Sequence, residues 1–389
     1  MKLKAKLGVF PVMLALVLVA CATPAPMPTP VPTAKPAAPT AAPPAAAPKP
    51  AAATPVAKPT TPPATPKPAA EKPLAPPVKV KLAVSKQATE AALFIALEKG
   101  YFKDEGLDVE LVNFAGGAQM IPALAIGEVH VGSGSSSAGF INAIQRELNF
   151  KIVADRGHSA KGMGVSGLGV RKDLVDSGAY KGFADLKGKT IASNATASSG
   201  EFLAAEALRK GGLKEEDAKY IAMPFPDLLA AFSNKAIDAA VFGEPLHTQA
   251  IDRGLVVRVN TTDQIYLDYQ MSLLIYSPKL MTEMPEAAKR FAVAYLKGIR
   301  TYKDAFEKNK GKSDVVSVIT KNTPVTDPAL VSRILPTGFD ADGRVNIKSL
   351  QDEQDWYLKR GYIKDKIDYN KVVDYQFMNY AVDRLGAYK

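Results

Sequence analysis

From Val78 onward the chain switches repeatedly between two hydrophobic periods. VKVKLAV (78–84) alternates apolar and polar positions, as a half-buried strand does, and 89–99 repeats at helical spacing and closes on Gly100. The pattern then predicts a strand at 109–114, a turn at Gly116 and Gly117, a helix ending near Gly127 and a strand at 129–132. The polar run SGSSS (133–137) reads as a turn that opens a helix reaching Arg146, and 151–155 reads as a fourth strand. A strand–turn–helix unit repeated in this way predicts an α/β fold with mostly parallel sheets flanked by helices. Ligands of such sheets collect at the carboxyl ends of the strands. The turns at 85–87, 116–117 and 133–137 are therefore expected to meet at one cleft.

The pattern restarts after a glycine-rich passage. Residues 164–170 (GVSGLGV) are expected to cross to a second lobe. A strand at 189–192, the turn NATASSG (194–200) and a helix at 201–210 follow, then a helix opened by Pro226, strands at 237–242 and 255–259, and a helix between them that begins at Glu244 and Pro245. The apolar run QMSLLIY (270–276) reads as the return crossover. A long helix (286–309) and shorter ones around 314–320, 327–335, 349–360 and 372–385 are expected to pack on the first lobe. The division is thus 78–165 with 271–389 as lobe one and 166–270 as lobe two, joined by two crossover hinges.

Three blocks carry a family resemblance. TEAALFIALEKGYFKDEGLDVELV, GGAQMIPALAIGEVHVG and SSSAGFINAIQR occur in order and resemble the N-terminal lobe of the nitrate/sulfonate/taurine group of ABC-importer substrate-binding proteins, whose superfamily also holds binders of thiamine-pyrimidine precursors and riboflavin. The resemblance implies a two-lobed, type II periplasmic-binding-protein-like fold. It also implies capture of a small ligand by hinge closure and delivery to a membrane permease driven by a separate ATPase. It places ligand contacts on the turns that carry Gln87, Thr89 and Gly117, and on the segment FGEPLHTQA, where Glu244 is a candidate partner for an N–H donor such as an aminopyrimidine. An aromatic residue often precedes Glu-Pro in that family; here Phe242-Gly243 stands there. Glu244 also reads as a plain first-turn glutamate beside a proline, and Tyr269 and Gln270, near the return crossover, are further candidates.

The residues add a chemistry of their own. Ser135, Ser136 and Ser137 stand at one predicted helix start, and Ala197, Ser198 and Ser199 at another in the other lobe. Helix N-termini leave N–H groups unpaired and carry partial positive charge, so two such ends facing a cleft suit a sulfonate, nitrate or carboxylate. The same serines serve equally as ordinary N-caps. GSGSSS with Asp155 approaches a dinucleotide fingerprint, but serine stands where the third glycine belongs. Neither serine turn fits the G-x-S-x-G elbow of a serine hydrolase. His130, His158 and His247 are not spaced as metal ligands, so neither a metal nor a cofactor is expected. An exported enzyme using the same cleft, or a sensor without a transported ligand, are the other readings.

Composition changes the picture mainly at the N-terminus. Lys2, Lys4 and Lys6 precede an apolar stretch (7–20) that is too short for a membrane span of about 20 residues and ends in LVAC, which resembles a lipobox with Cys21 as the lipidated residue. Cys21 is the only cysteine, which excludes a disulfide within the chain. Residues 22–77 hold 20 of the 30 prolines and read as a disordered, extended tether. Residues 1–77 carry eight lysines and one glutamate, so they supply +7 of the formal +10 and leave the body at +3. The basic pI is therefore no sign of nucleic-acid binding. The expected protein is an extracytoplasmic, lipid-anchored, monomeric solute receptor.

Overall fold

The structure, a computed structural model, describes residues 71–114, 117–146 and 148–389. The expected signal segment, Cys21 and most of the expected tether lie outside these residues. Ten strands among them form two five-stranded sheets of the same design. The first runs β2 (Leu107–Asn113), β1 (Val78–Val84), β3 (Val131–Ser135), β10 (Gln270–Tyr276), β4 (Lys151–His158). The second runs β7 (Lys219–Ala222), β6 (Thr190–Ser193), β8 (Ala239–Gly243), β5 (Ser166–Arg171), β9 (Val256–Thr261). In each sheet four strands point the same way. The fourth in spatial order, β10 or β5, is antiparallel to both neighbours, so each sheet is mixed.

Those antiparallel strands are the ones that follow the passages between sheets, β4 to β5 and β9 to β10. The glycine-rich run expected to be the crossover is mostly strand: Ser166–Arg171 is β5, and the passage itself is 159–165. Its glycines are needed for packing. A Cβ on Gly167 would lie 2.4 Å from the Asn260 carbonyl oxygen of the neighbouring β9. QMSLLIY is likewise a full strand of the first sheet, preceded by the return passage 262–269.

The helices that shape the cleft and its supports are α1 (Ala91–Glu98), α2 (Gly117–Ala125), α3 (Ala138–Gln145), α4 (Ser199–Lys210), α5 (Phe225–Ser233), α6 (Leu246–Asp252), α7 (Pro285–Glu307), α8 (Lys312–Asn322), α9 (Pro328–Arg333), α10 (Ile347–Lys359) and α11 (Gln376–Leu385). α7 is the spine of the first lobe. Its buried face includes Phe291, Tyr295 and Ile299, and Gly298 lets it approach α1 closely.

The later helices do not serve the first lobe alone, as expected from sequence. On α10 the indole of Trp356 packs on Phe202 of α4 (ring centroids 5.8 Å apart) and donates from Nε1 to Glu215 at 2.9 Å. A single hydrophobic cluster passes from Leu273 and Ile275 of the first sheet through Tyr269, Phe202 and Trp356 to Ile191 and Leu168 of the second. The two lobes share part of their core.

Candidate functional site

A cavity of about 430 Å³ opens between the lobes, at the carboxyl ends of β1, β3, β6 and β8. Its first wall is the β1–α1 loop. Glu90, fully buried, accepts from the backbone N–H of Ser85 (3.0 Å) and Gln87 (2.9 Å) and from the Ser133 hydroxyl. This carboxylate folds the loop around itself and turns Lys86, in the left-handed region at φ +57°, and Gln87 outward into the cavity. Thr89 and Ser135 complete that wall. Beneath it lies Arg156 of β4, which donates from Nη1 to Thr89 Oγ1 at 2.9 Å and from Nη2 to the Gly134 carbonyl at 3.3 Å.

The facing wall comes from the second lobe. Asn194, Ser199, Gly200 and Leu203 reach the cavity from the β6–α4 turn and the start of α4, and Val241 to Leu246 from the end of β8. Val165 and Tyr269 line it from the crossovers, Ser166, Met271 and Ser272 from the strands that follow them, and Thr323, Pro324 and Val325 close one side. The cavity is thus polar at the first-lobe and α4 ends, with Leu203, Val241, Phe242, Met271 and Val325 forming an apolar flank.

Of the residues expected from sequence, the structure brings Gln87, Thr89, Ser135, Ser199, Glu244 and Tyr269 to the cavity, while Gln270 is buried and donates to Asp155. Gly117 is the first residue of α2. The serine turns differ from expectation. Ser133 to Ser135 belong to strand β3, and the helix after the second turn starts at Ser199. Ser137 and Ser198 are N-caps, accepting from Phe140 N (3.1 Å) and Glu201 N (3.4 Å). The two turns also bond to each other, through a bridge between Ser137 and Ser198 and a hydrogen bond from Ala138 N to the Ala197 carbonyl at 3.3 Å. They form a contact between lobes, and the cavity receives one neighbour from each side, Ser135 and Ser199. Ser136 is buried beside Glu353 and Tyr369, and Ala197 sits at φ +56°.

Glu244 is also otherwise engaged. Its side chain is fully buried, is ion-paired with Arg258, and accepts from Thr248 N at 3.0 Å in the first turn of α6. Its negative charge is therefore matched by an adjacent guanidinium. The dinucleotide reading fails on geometry. Gly132 lies within β3, where a Cβ would strike Leu124 at 2.4 Å, and Asp155 is spent on Gly157 N, His158, Gln270 and Asp340 N. His130 accepts from Lys81 N at 3.1 Å, and His247 is stacked on Phe242. Burial, with Arg258 nearby, pushes the His247 imidazole down to about 3, so it is neutral.

Sequence reasoning missed Lys86, Arg156, Asn194 and the Thr323–Val325 flank. A lysine in a predicted turn beside Gln87 was a usable signal. Arg156 reaches the site from a neighbouring strand and Thr323 from far along the chain, and neither carries a local pattern.

Behind the cavity, Tyr269 and Tyr357 donate to Oε1 of the buried Glu353 at 2.6 and 2.7 Å. Burial pushes the Glu353 carboxyl above the usual carboxylate range, against the hydroxyls of Tyr269, Ser136 and Tyr357, which pull it down. An acid raised in the folded state holds its proton more tightly folded than unfolded. Its contribution to stability is complete below the unfolded value of about 4.3 and is lost as pH climbs through the raised one. Glu353→Gln, neutral throughout, is expected to flatten the fall in stability with rising pH. Urea titrations across that range check it, and parallel curves for the two proteins would count against a buried acid that titrates.

A ligand-sized cavity between two lobes of matching 2-1-3 strand order, joined by two crossovers, is the architecture of the periplasmic binding proteins. The chain belongs to the NMT1/THI5-like family, whose model matches residues 87–308. A Brucella abortus (strain 2308) protein named as a binding protein is 30% identical over 198 residues, which are 50% of this chain and 58% of that protein. The chain thus spans less than two thirds of the length of that relative. A Bacillus subtilis (strain 168) protein named for binding aliphatic sulfonates is 27% identical over 316 residues, covering 78% of this chain and 88% of its own length. The ligand-binding component of an ABC-type import system from Staphylococcus aureus has the same fold, with a TM-score of 0.64 at 16% identity over 78% of this chain and 99% of its own. The desulfurization enzyme DszB shares the fold as well, with a TM-score of 0.56 at 15% identity over 79% of this chain and 99% of its own. No described helix is long and apolar enough to cross a membrane.

Proposed function

We propose that this protein is the extracytoplasmic receptor of an ABC importer, tethered by a lipid at Cys21 and by the 22–77 stalk. It captures an organic anion with an apolar body. The observation that carries this reading is the charge balance of the cavity. Lys86 and Glu244 are the charged residues among its described lining, and Glu244 is already matched by Arg258. What remains is a cation, several hydroxyls and amides, and an apolar flank. A volume of about 430 Å³ is far more than nitrate needs and suits a sulfonate or carboxylate with an alkyl or aromatic tail. Lobe one (78–165 with 271–389) and lobe two (166–270) close by rotation at 159–165 and 262–269, and the closed form engages a permease whose ATPase is a separate subunit. The engagement of Glu244 weakens the pyrimidine or flavin reading. The same cavity holds no paired nucleophile and base among its described residues, so an enzymatic reading gains nothing from it.

A thermal-shift screen of the full chain tests this against alkane- and arylsulfonates, carboxylates, nitrate, pyrimidines and riboflavin. An organic anion at a hundred times its dissociation constant is expected to add about 2.7 kcal/mol of apparent stability. A response to pyrimidines or riboflavin alone would replace the anion with a vitamin precursor. Silence across the panel would remove the receptor reading.

A further inference from the structure

Arg156 stands beneath the first-lobe wall of the cavity. It lies on β4, is 3% exposed, and makes no ion pair within 4 Å among the described residues. Two acids, Glu90 and Asp155, lie close enough for their charge to reach it but do not bond to it. Glu90 holds Ser85, Gln87 and Ser133, and Asp155 holds Gly157, His158, Gln270 and Asp340. Nε of Arg156 has no hydrogen-bond partner among the described residues. Of its two acceptors, one is the Gly134 carbonyl, next to cavity-lining Ser135, and the other is the hydroxyl of Thr89, which itself lines the cavity.

Burial disfavours the guanidinium's charge, and Glu90 and Asp155 offset part of that cost without bonding to it. What its own N–H groups hold is the cavity wall. Because Arg156 donates to Thr89 Oγ1, the threonine's lone pair is occupied and its own proton is left to donate into the cavity. A hydrogen bond from a hydroxyl that is itself the acceptor of a cation is strengthened by that cation. Lys86, by contrast, is exposed and screened by salt and water.

We propose that Arg156, acting through Thr89, is the positioning residue that selects an anionic head group and seats it at the first-lobe wall, beside Thr89, Gln87 and Ser135. This inference rests on the anion reading above and deepens it. The head group then lies away from the paired helix ends at Ser137 and Ser198, and its tail lies toward Val241 and Val325. Arg156 does not touch the ligand; Thr89 does.

The test is calorimetric titration of the full chain with two matched pairs, hexane-1-sulfonate against hexane-1-sulfonamide and benzoate against benzamide. Wild type is expected to prefer the anion of at least one pair by about 30-fold or more, the worth of a charge-assisted hydrogen bond. In Arg156→Met that preference falls to within about 3-fold, while the neutral partner's affinity stays within about 3-fold of wild type. Arg156→Lys, which keeps a point charge, retains an intermediate preference. Should Arg156→Met fail to fold, Thr89→Val removes the relaying hydroxyl at nearly constant shape and is expected to lose the same preference, and Thr89→Ser to keep it. A merely structural Arg156 would weaken anion and neutral ligand alike, leaving the ratio unchanged, and that result overturns the proposal while the anion receptor stands. A wild type without preference for either anion overturns both.

Discussion

Gly298→Val is expected to cost more stability than any exposed substitution in the chain, because the space for its side chain is filled by backbone. A Cβ at 298 would lie 2.1 Å from the carbonyl oxygen of Ala92 and 3.3 Å from the Ala96 methyl. Overpacking of a core typically costs about 1–3 kcal/mol when side chains can yield. Here the nearest atom belongs to the α1 backbone, in a helix whose residues Ala91 to Ala96 are all buried. The two helices must part, and the loss is expected above about 3 kcal/mol. Gly298→Ala is expected to fall between wild type and valine. Trimming Ala96 to glycine should not rescue either variant, since the carbonyl of Ala92 remains in place. Urea midpoints measured by circular dichroism decide this. Valine within a few tenths of a molar of wild type would mean that α1 and α7 are not in backbone contact at Gly298.

Phe202→Ala is expected to be nearly as damaging, for a different reason. The Phe202 ring is 2% exposed and lies 6.0, 5.6 and 5.8 Å from the rings of Tyr266, Tyr269 and Trp356. Truncation opens a cavity at the junction of the second lobe, the return crossover and α10. Phe→Ala changes in cores cost about 3–5 kcal/mol. This one also removes the link that lets the lobes unfold together, so the calorimetric transition is expected to broaden or split as well as to move down. A sharp, single transition shifted by only a degree or so would show that the lobes are coupled elsewhere.

The order of strands and helices was legible because each segment's hydrophobic period matched its environment. β1 alternates and pairs along its whole length with β2, and α1 ends at Gly100 in the left-handed conformation that its glycine permits at no steric cost. β3 defeated the same reasoning. Gly132, Ser133 and Gly134 look like a turn, yet they are a buried strand whose two glycines make room for Leu124 at Gly132 and Ile275 at Gly134. Close packing against the face that Gly132 and Gly134 share produced a turn-like composition.

The candidate site was half legible. A serine that caps a helix and a serine that binds an anion have the same sequence signature, and here the caps of the two helices meet each other. Glu244 was visible as a glutamate near the cleft, but its neutralisation depends on Arg258, fourteen residues away on β9. Arg156 was invisible because its role depends on which strands the topology places side by side.

The indole of Trp356 has one more consequence. It is the only tryptophan in the chain, and it is wedged between the helix that closes the first lobe and Phe202 and Glu215 of the second. The molecule therefore carries its own optical gauge of lobe separation: any rotation that parts α10 from α4 wets a single fluorophore, and its emission reports the opening without a label.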